Sequence, residues 1–148
     1  MPSPRRRRLA AGLCAAAVVC GGLFVHLALP DGFATDATGD ILYAVFIYLL
    51  LVVVAPRRPA SIVAAIAFTW CTAVELFQLS GLPEAWGAAF APVMLVLGTV
   101  FSPTDLLMYA IGILIALALD AAVAALARSR REHEAVTIVA PVDAEEPP

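Results

Sequence analysis

Four apolar stretches, joined by short connections that either carry arginine or lack basic residues altogether, restrict this chain to a membrane fold. Residues 9–29, 41–55, 60–79 and 105–127 run to 21, 15, 20 and 23 residues. As helices these measure about 31, 22, 30 and 34 Å, against a hydrocarbon core of about 30 Å. The second is short, which predicts either that its ends are drawn in or that the bilayer is locally thin. Only 14% of the chain is charged, where a soluble domain carries about 25%, and the mean hydropathy is +0.93. The expected fold class is an all-α integral membrane protein with four transmembrane helices.

Orientation follows from the basic residues, all nine of which are arginine. Arg5 to Arg8 precede the first stretch, Arg57 and Arg58 join the second to the third, and Arg128, Arg130 and Arg131 follow the fourth. The connection "PDGFATDATGD" holds three aspartates and no base, and the third connection also has no base. The positive-inside rule then puts both termini in the cytoplasm, N-in and C-in. The division expected is a basic cytoplasmic N-terminus over 1–8, a transmembrane domain over 9–127 and a disordered, acidic tail over 128–148. An arginine-only basic set with abundant alanine points to a bacterial source, and hence to a multi-pass protein of the cytoplasmic membrane. The arginine clusters lack interleaved aromatics, so a topology signal is the reading and nucleic acid is not an expected partner.

Two segments admit a second interpretation. The basic start followed by an apolar run has the outline of a signal peptide. Yet the run is long, no A-x-A site precedes "LPDGFA", and the first stretch reads as a retained span. Residues 83–101, "PEAWGAAFAPVMLVLGTVF", are apolar enough to cross, but a crossing there would carry the arginine-rich end outside. Gly87, Pro92 and Gly98 also interrupt it. It reads as a re-entrant or interfacial segment between the third and fourth spans, with a true fifth span as the alternative.

Polar residues within spans are the candidates for function. "CTAVELFQLSG" sets Glu75 and Gln78 one turn apart near the end of the third span. Their face includes Thr72, Cys71, Phe68 and Ala64. In the fourth span Asp105, Tyr109, Gly112, Ala116 and Asp120 share one face, and Gly112 with Ala116 forms a small-xxx-small pair suited to close approach. Asp40 opens the second span, with Tyr43 and Ala44 on roughly its side. Asp40, Glu75, Gln78, Asp105 and Tyr109 would therefore lie at one level and form an outward-facing polar pocket. His26 shares that depth but reads as an interfacial histidine.

Each has a plainer explanation. "SPTD", residues 102–105, fits a capping box with proline at the first helical position. Asp40 suits an N-cap after Gly39. Tyr48 reads as belt or packing, and Asp120, about 22 Å from Asp105, as the partner of a loop arginine. Glu75 stands apart, since an acid within a span costs about 3 kcal/mol even on insertion scales. A hydrogen bond that glues two spans is its simplest alternative. Cys14, Cys20 and Cys71 have neither disulfide nor zinc spacing and read as packing residues.

"GDILYAVFIYLL", "AVELFQL" and "VLGTVFSPTDLLMYAIG", in that order, resemble the membrane proteins of domain-of-unknown-function family 2809, which look like relatives of the VanZ-like proteins. Onto the VanZ-like pattern map Glu75, Gln78, Asp105 and Gly112, with Tyr109 at its asparagine position. The pattern's intervening arginine has no counterpart, because residues 79–104 contain no base. The resemblance implies a small integral membrane protein without an assigned reaction. By analogy it points to the outer leaflet and to cell-envelope precursors.

Two functional classes follow. One is a non-enzymatic binding or accessory module, whose partners are the bilayer and a lipid or cell-envelope headgroup rich in hydroxyls or bridged by a cation. The other is an intramembrane enzyme using carboxylates on a lipid-linked substrate, with a metal as an open question. No cofactor motif is present. Transport through so narrow a protomer would call for a homo-oligomer.

Overall fold

The computed structural model describes residues 3–90, 92–98 and 100–139. Six helices follow in order: α1 (Pro4–Ala28), α2 (Phe33–Val54), α3 (Ala60–Gln78), α4 (Leu82–Ala89), α5 (Pro92–Leu97) and α6 (Pro103–Val139). The described chain is all-helical, and α1, α2, α3 and the part of α6 up to Arg130 are long and apolar enough to cross a membrane. The long helices alternate in direction, and α2 packs against α1, α3 and α6. Large apolar side chains such as Leu13, Phe24, Trp70, Leu114 and Leu126 are exposed, as suits helices solvated by lipid. The core is narrow and made mostly of small residues, among them Ala44, Ala67 and Cys71, each with 0% exposure.

Two helices begin earlier than hydropathy predicts. Helix α1 starts at Pro4, where proline needs no backbone partner, and Ser3 accepts a hydrogen bond from the Arg6 amide at 3.4 Å. Helix α2 starts at Phe33, so the polar residues 33–40 are helical rather than part of a loop. The Thr35 hydroxyl donates to the Pro30 carbonyl (2.7 Å), and the Thr38 hydroxyl donates to the Ala34 carbonyl (2.6 Å). At 22 residues, about 33 Å, the second span is not short, and neither drawn-in ends nor a thinned bilayer is required. Hydropathy marks where lipid begins; backbone hydrogen bonding decides where a helix ends.

The segment 83–101 is not a single helix. It folds as α4 and α5, of 8 and 6 residues, about 12 and 9 Å long, and neither can cross. Gly81, with φ 70°, turns the chain out of α3 as a left-handed residue that glycine adopts without cost. Helix α6 continues past Arg128 to Val139, beyond the start expected for the tail. Its "AALARSRREHEA" run is rich in good helix formers. Residues 140–148 of that tail lie outside the described residues.

Helices α2 and α6 approach closely at Gly112. A Cβ there would sit 2.6 Å from the Ile41 carbonyl oxygen and 3.1 Å from the Ala44 Cβ. The small-xxx-small pair, Gly112 and Ala116, is thus at the α2–α6 seam, and Ala116 is buried.

Candidate functional site

The buried face of α3 runs through Ala64, Ala67, Cys71, Glu75 and Gln78, three or four residues apart. Phe68, expected on this face, is exposed; its ring is too large for the narrow seam and is left to lipid. Glu75 has 0% exposure. One of its carboxylate oxygens, Oε1, accepts a hydrogen bond from the Ser102 amide at 2.6 Å, and the other, Oε2, accepts from the Tyr109 hydroxyl at 3.2 Å.

This changes the meaning of "SPTD". In a capping box the acid of the first turn accepts from the amide of the capping residue. Here that amide belongs to Ser102, and its acceptor is Glu75 of another helix. Glu75 therefore caps the start of α6 from α3, and joins the two helices through Tyr109 as well. The Asp105 amide bonds to the Ser102 carbonyl at 3.1 Å.

Gln78 acts alongside. Its Nε2 donates to the Leu97 carbonyl at 2.8 Å, at the end of α5. Next in the chain is Gly98, with φ 63°, where a Cβ would collide with the Gln78 amide. Glycine is demanded twice there, by conformation and by space. Between them Glu75 and Gln78 hold both ends of the 97–102 connection, so the α4–α5 segment is strapped to the end of α3. Two buried oxygens near this strap, Gln78 Oε1 and Thr72 Oγ1, have no hydrogen-bond partner among the described residues.

Asp40 and Asp105 complete the group. Both are half-buried, and Asp40 lies within electrostatic reach of Asp105 and Glu75. Among the described residues neither aspartate side chain has a hydrogen bond or ion pair. Asp40 is not an N-cap, since α2 began two turns earlier. Tyr43, one turn on, packs its ring at a tilt of 53° against Tyr109 with centroids 6.0 Å apart, and its hydroxyl accepts from Trp70 Nε1 at 3.3 Å. All five expected residues thus meet at one end of the bundle, where α2, α3 and α6 converge. His26 does not join them; it is exposed on α1, which packs on α2 alone among the helices. No three His, Cys, Asp or Glu side chains among the described residues come together in a metal-holding group.

A second polar group occupies the opposite end. Arg7 of α1 contacts the Asp120 carboxylate at 2.5 Å through Nη2, while Nη1 donates to the carbonyls of Pro56 (2.8 Å) and Arg58 (2.9 Å). The Tyr48 hydroxyl donates to the same Asp120 oxygen at 2.8 Å. Asp120 does pair with an arginine, but with one from the N-terminal cluster rather than the loop. Tyr48, at 1% exposure, is a core hydrogen-bonding residue, not an interfacial anchor. The signal was available: Asp40, Ala44, Tyr48 and Val52 fall at intervals of four on α2.

The family model described as "Protein of unknown function (DUF2809)" matches residues 29–113. The chain belongs to this family. The matched stretch covers α2 to α5 and the start of α6, and with them all five residues of the Glu75 group. No curated protein and no solved structure matches the chain.

Proposed function

We propose that this family member is a non-enzymatic binding or accessory module of a bacterial cytoplasmic membrane, with the Glu75 end facing outward and both termini inside. The observation that carries the reading is chemical. Two half-buried carboxylates from different helices, Asp40 and Asp105, stand beside a third that is fully buried, with no cation among the described residues to balance them. Such an arrangement is stabilised by a partner that supplies donors or positive charge, and is otherwise relieved by protonation or by water. Headgroups rich in hydroxyls, bearing an ammonium, or bridged by a divalent cation have that chemistry. The same end lies at membrane depth, where headgroups are found, so a lipid or cell-envelope precursor fits better than a soluble solute. In this reading Glu75, Gln78 and Tyr109 form the fixed floor, while Asp40 and Asp105 face the ligand. The outward orientation is supported by the nine arginines, all of which fall at or beyond the other end.

The test separates floor from mouth. In a deletion strain showing an envelope or lipid-composition phenotype, Asp40→Asn with Asp105→Asn should abolish complementation while the protein still inserts at normal abundance. Glu75→Gln should impair complementation as well. Full complementation by the double aspartate variant and by both Glu75→Gln and Glu75→Ala would refute the proposal. Lipidomics of the deletion strain then identifies the headgroup class that changes.

A further inference from the structure

The arginine end carries a feature that the Glu75 group does not explain. Arg5, Arg6 and Arg8 surround the start of α1, and Arg57 and Arg58 form the α2–α3 turn; all five side chains are exposed. Arg7 binds these two clusters together, because its guanidinium donates to the carbonyls of Pro56 and Arg58 while also holding Asp120. Residues some 49 to 51 positions apart in the chain are thereby fixed side by side, at the cost of their mutual repulsion. The turn that presents Arg57 and Arg58 is bounded by Pro56 and Pro59, which limits its freedom to spread. At this corner Arg7 pairs with Asp120, and none of the five exposed arginines has an ion pair among the described residues. Helices α1 and α3 both start here, and neither has an acidic residue in its first turn. The positive ends of both helix dipoles therefore add to the charge.

We infer that this corner, between the first turn of α1 and the α2–α3 turn, is a docking site for the phosphate of an anionic phospholipid headgroup. Guanidinium groups are suited to it, since each can donate two parallel hydrogen bonds to one phosphate. The occupant is a lipid of the surrounding bilayer rather than a soluble anion, because the site lies where apolar helices leave the hydrocarbon. A topology signal needs only the number of arginines near the span. It does not need two clusters clamped together through Arg7 and Asp120.

The experiment uses the full chain, purified in mild detergent and exposed to equal amounts of phosphatidylglycerol and phosphatidylcholine, with retained lipid counted by native mass spectrometry. The wild type should retain phosphatidylglycerol in preference. Arg57→Gln with Arg58→Gln should reduce that preference at least about fivefold, given the affinity each interfacial arginine adds. Arg57→Lys with Arg58→Lys, which keeps the charge but loses the fork, should reduce it less. Arg128→Gln with Arg130→Gln, an equal change of charge elsewhere on the same side, should reduce it by less than twofold. Equal retention of the two lipids by the wild type would overturn the inference. So would an equal loss in the Arg128/Arg130 variant, which indicates diffuse attraction, or displacement of the lipid by inorganic phosphate at matched concentration. Thermal unfolding of each variant in the same detergent identifies one that has lost its fold, and the lysine pair then serves as the deciding comparison.

Discussion

Two polar groups sit at opposite ends of the same helices and are built on different terms. At the arginine end one acid, Asp120, meets one base, Arg7; the Tyr48 hydroxyl also donates to Asp120, and the other Arg7 nitrogen donates to two backbone carbonyls. That pair is balanced internally, while the five exposed arginines around it are not. At the Glu75 end carboxylates of α2, α3 and α6 lie within electrostatic reach of one another, without forming a metal-holding group, and none has an ion pair among the described residues. Only Glu75 is fully partnered there, by the Ser102 amide and the Tyr109 hydroxyl. A balanced cluster explains itself as architecture. An unbalanced one near lipid is costly while its acids stay charged, which is the physical basis of the proposed ligand site. The unbalanced acids carry the proposed headgroup pocket, whereas at the other end a balanced clasp underlies the exposed arginines.

The comparison can be broken by mutation, and the largest effect should come from the clasp. Asp120→Ala leaves the Arg7 guanidinium without its counter-charge in a partly buried position. It should lower stability by about 3 kcal/mol, read as a shift in denaturant midpoint in micelles. Restoration of stability in the Arg7→Ala, Asp120→Ala double variant would mark the pair as a matched unit; strict additivity would show that the two residues act separately. Next is Glu75→Ala, which strands the Ser102 amide and the Tyr109 hydroxyl and should cost about 2 kcal/mol. Glu75→Gln keeps one acceptor and should cost about half of that. If Glu75→Ala is neutral, the third-helix cap on α6 is not a stabilising contact. Gly112→Ala tests the seam both groups depend on: its methyl meets the Ile41 carbonyl and should cost about 1–2 kcal/mol by forcing α2 and α6 apart. The smallest effect belongs to Tyr48→Phe, which removes one hydrogen bond to a carboxylate while preserving the ring, for about 1 kcal/mol. Asp40→Asn and Asp105→Asn sharpen the contrast from the other side. Among the described residues neither aspartate has a partner, so each substitution should leave stability unchanged or raise it slightly while removing function.

The four apolar helices and the singular position of Glu75 were legible in the sequence, because both follow from the cost of putting a residue type in lipid. The start of α2 was not. "FATDATGD" is polar, and its helicity rests on Thr35 and Thr38 turning back to nearby carbonyls, a local geometry that hydropathy does not register. The partner of Glu75 was half legible. Tyr109 could be placed on a facing helix by its spacing from Asp105, but the Ser102 amide is a backbone group and leaves no mark in side-chain patterns. Likewise, four consecutive arginines are indistinguishable until the phase of α1 is known. That phase, set by the helix beginning at Pro4, is what turns Arg7 inward and leaves its neighbours outside.

Tyr109 and Asp120 stand on one unbroken helix, eleven residues and about 16 Å apart. Helix α6 is therefore a common axle for both groups. A rotation that freed Tyr109 from Glu75 would drag Asp120 off Arg7 and Tyr48 in the same movement, with no intervening loop to take up the twist. The Glu75 contact at one end and the grip on the first helix at the other are thus carried by a single continuous element.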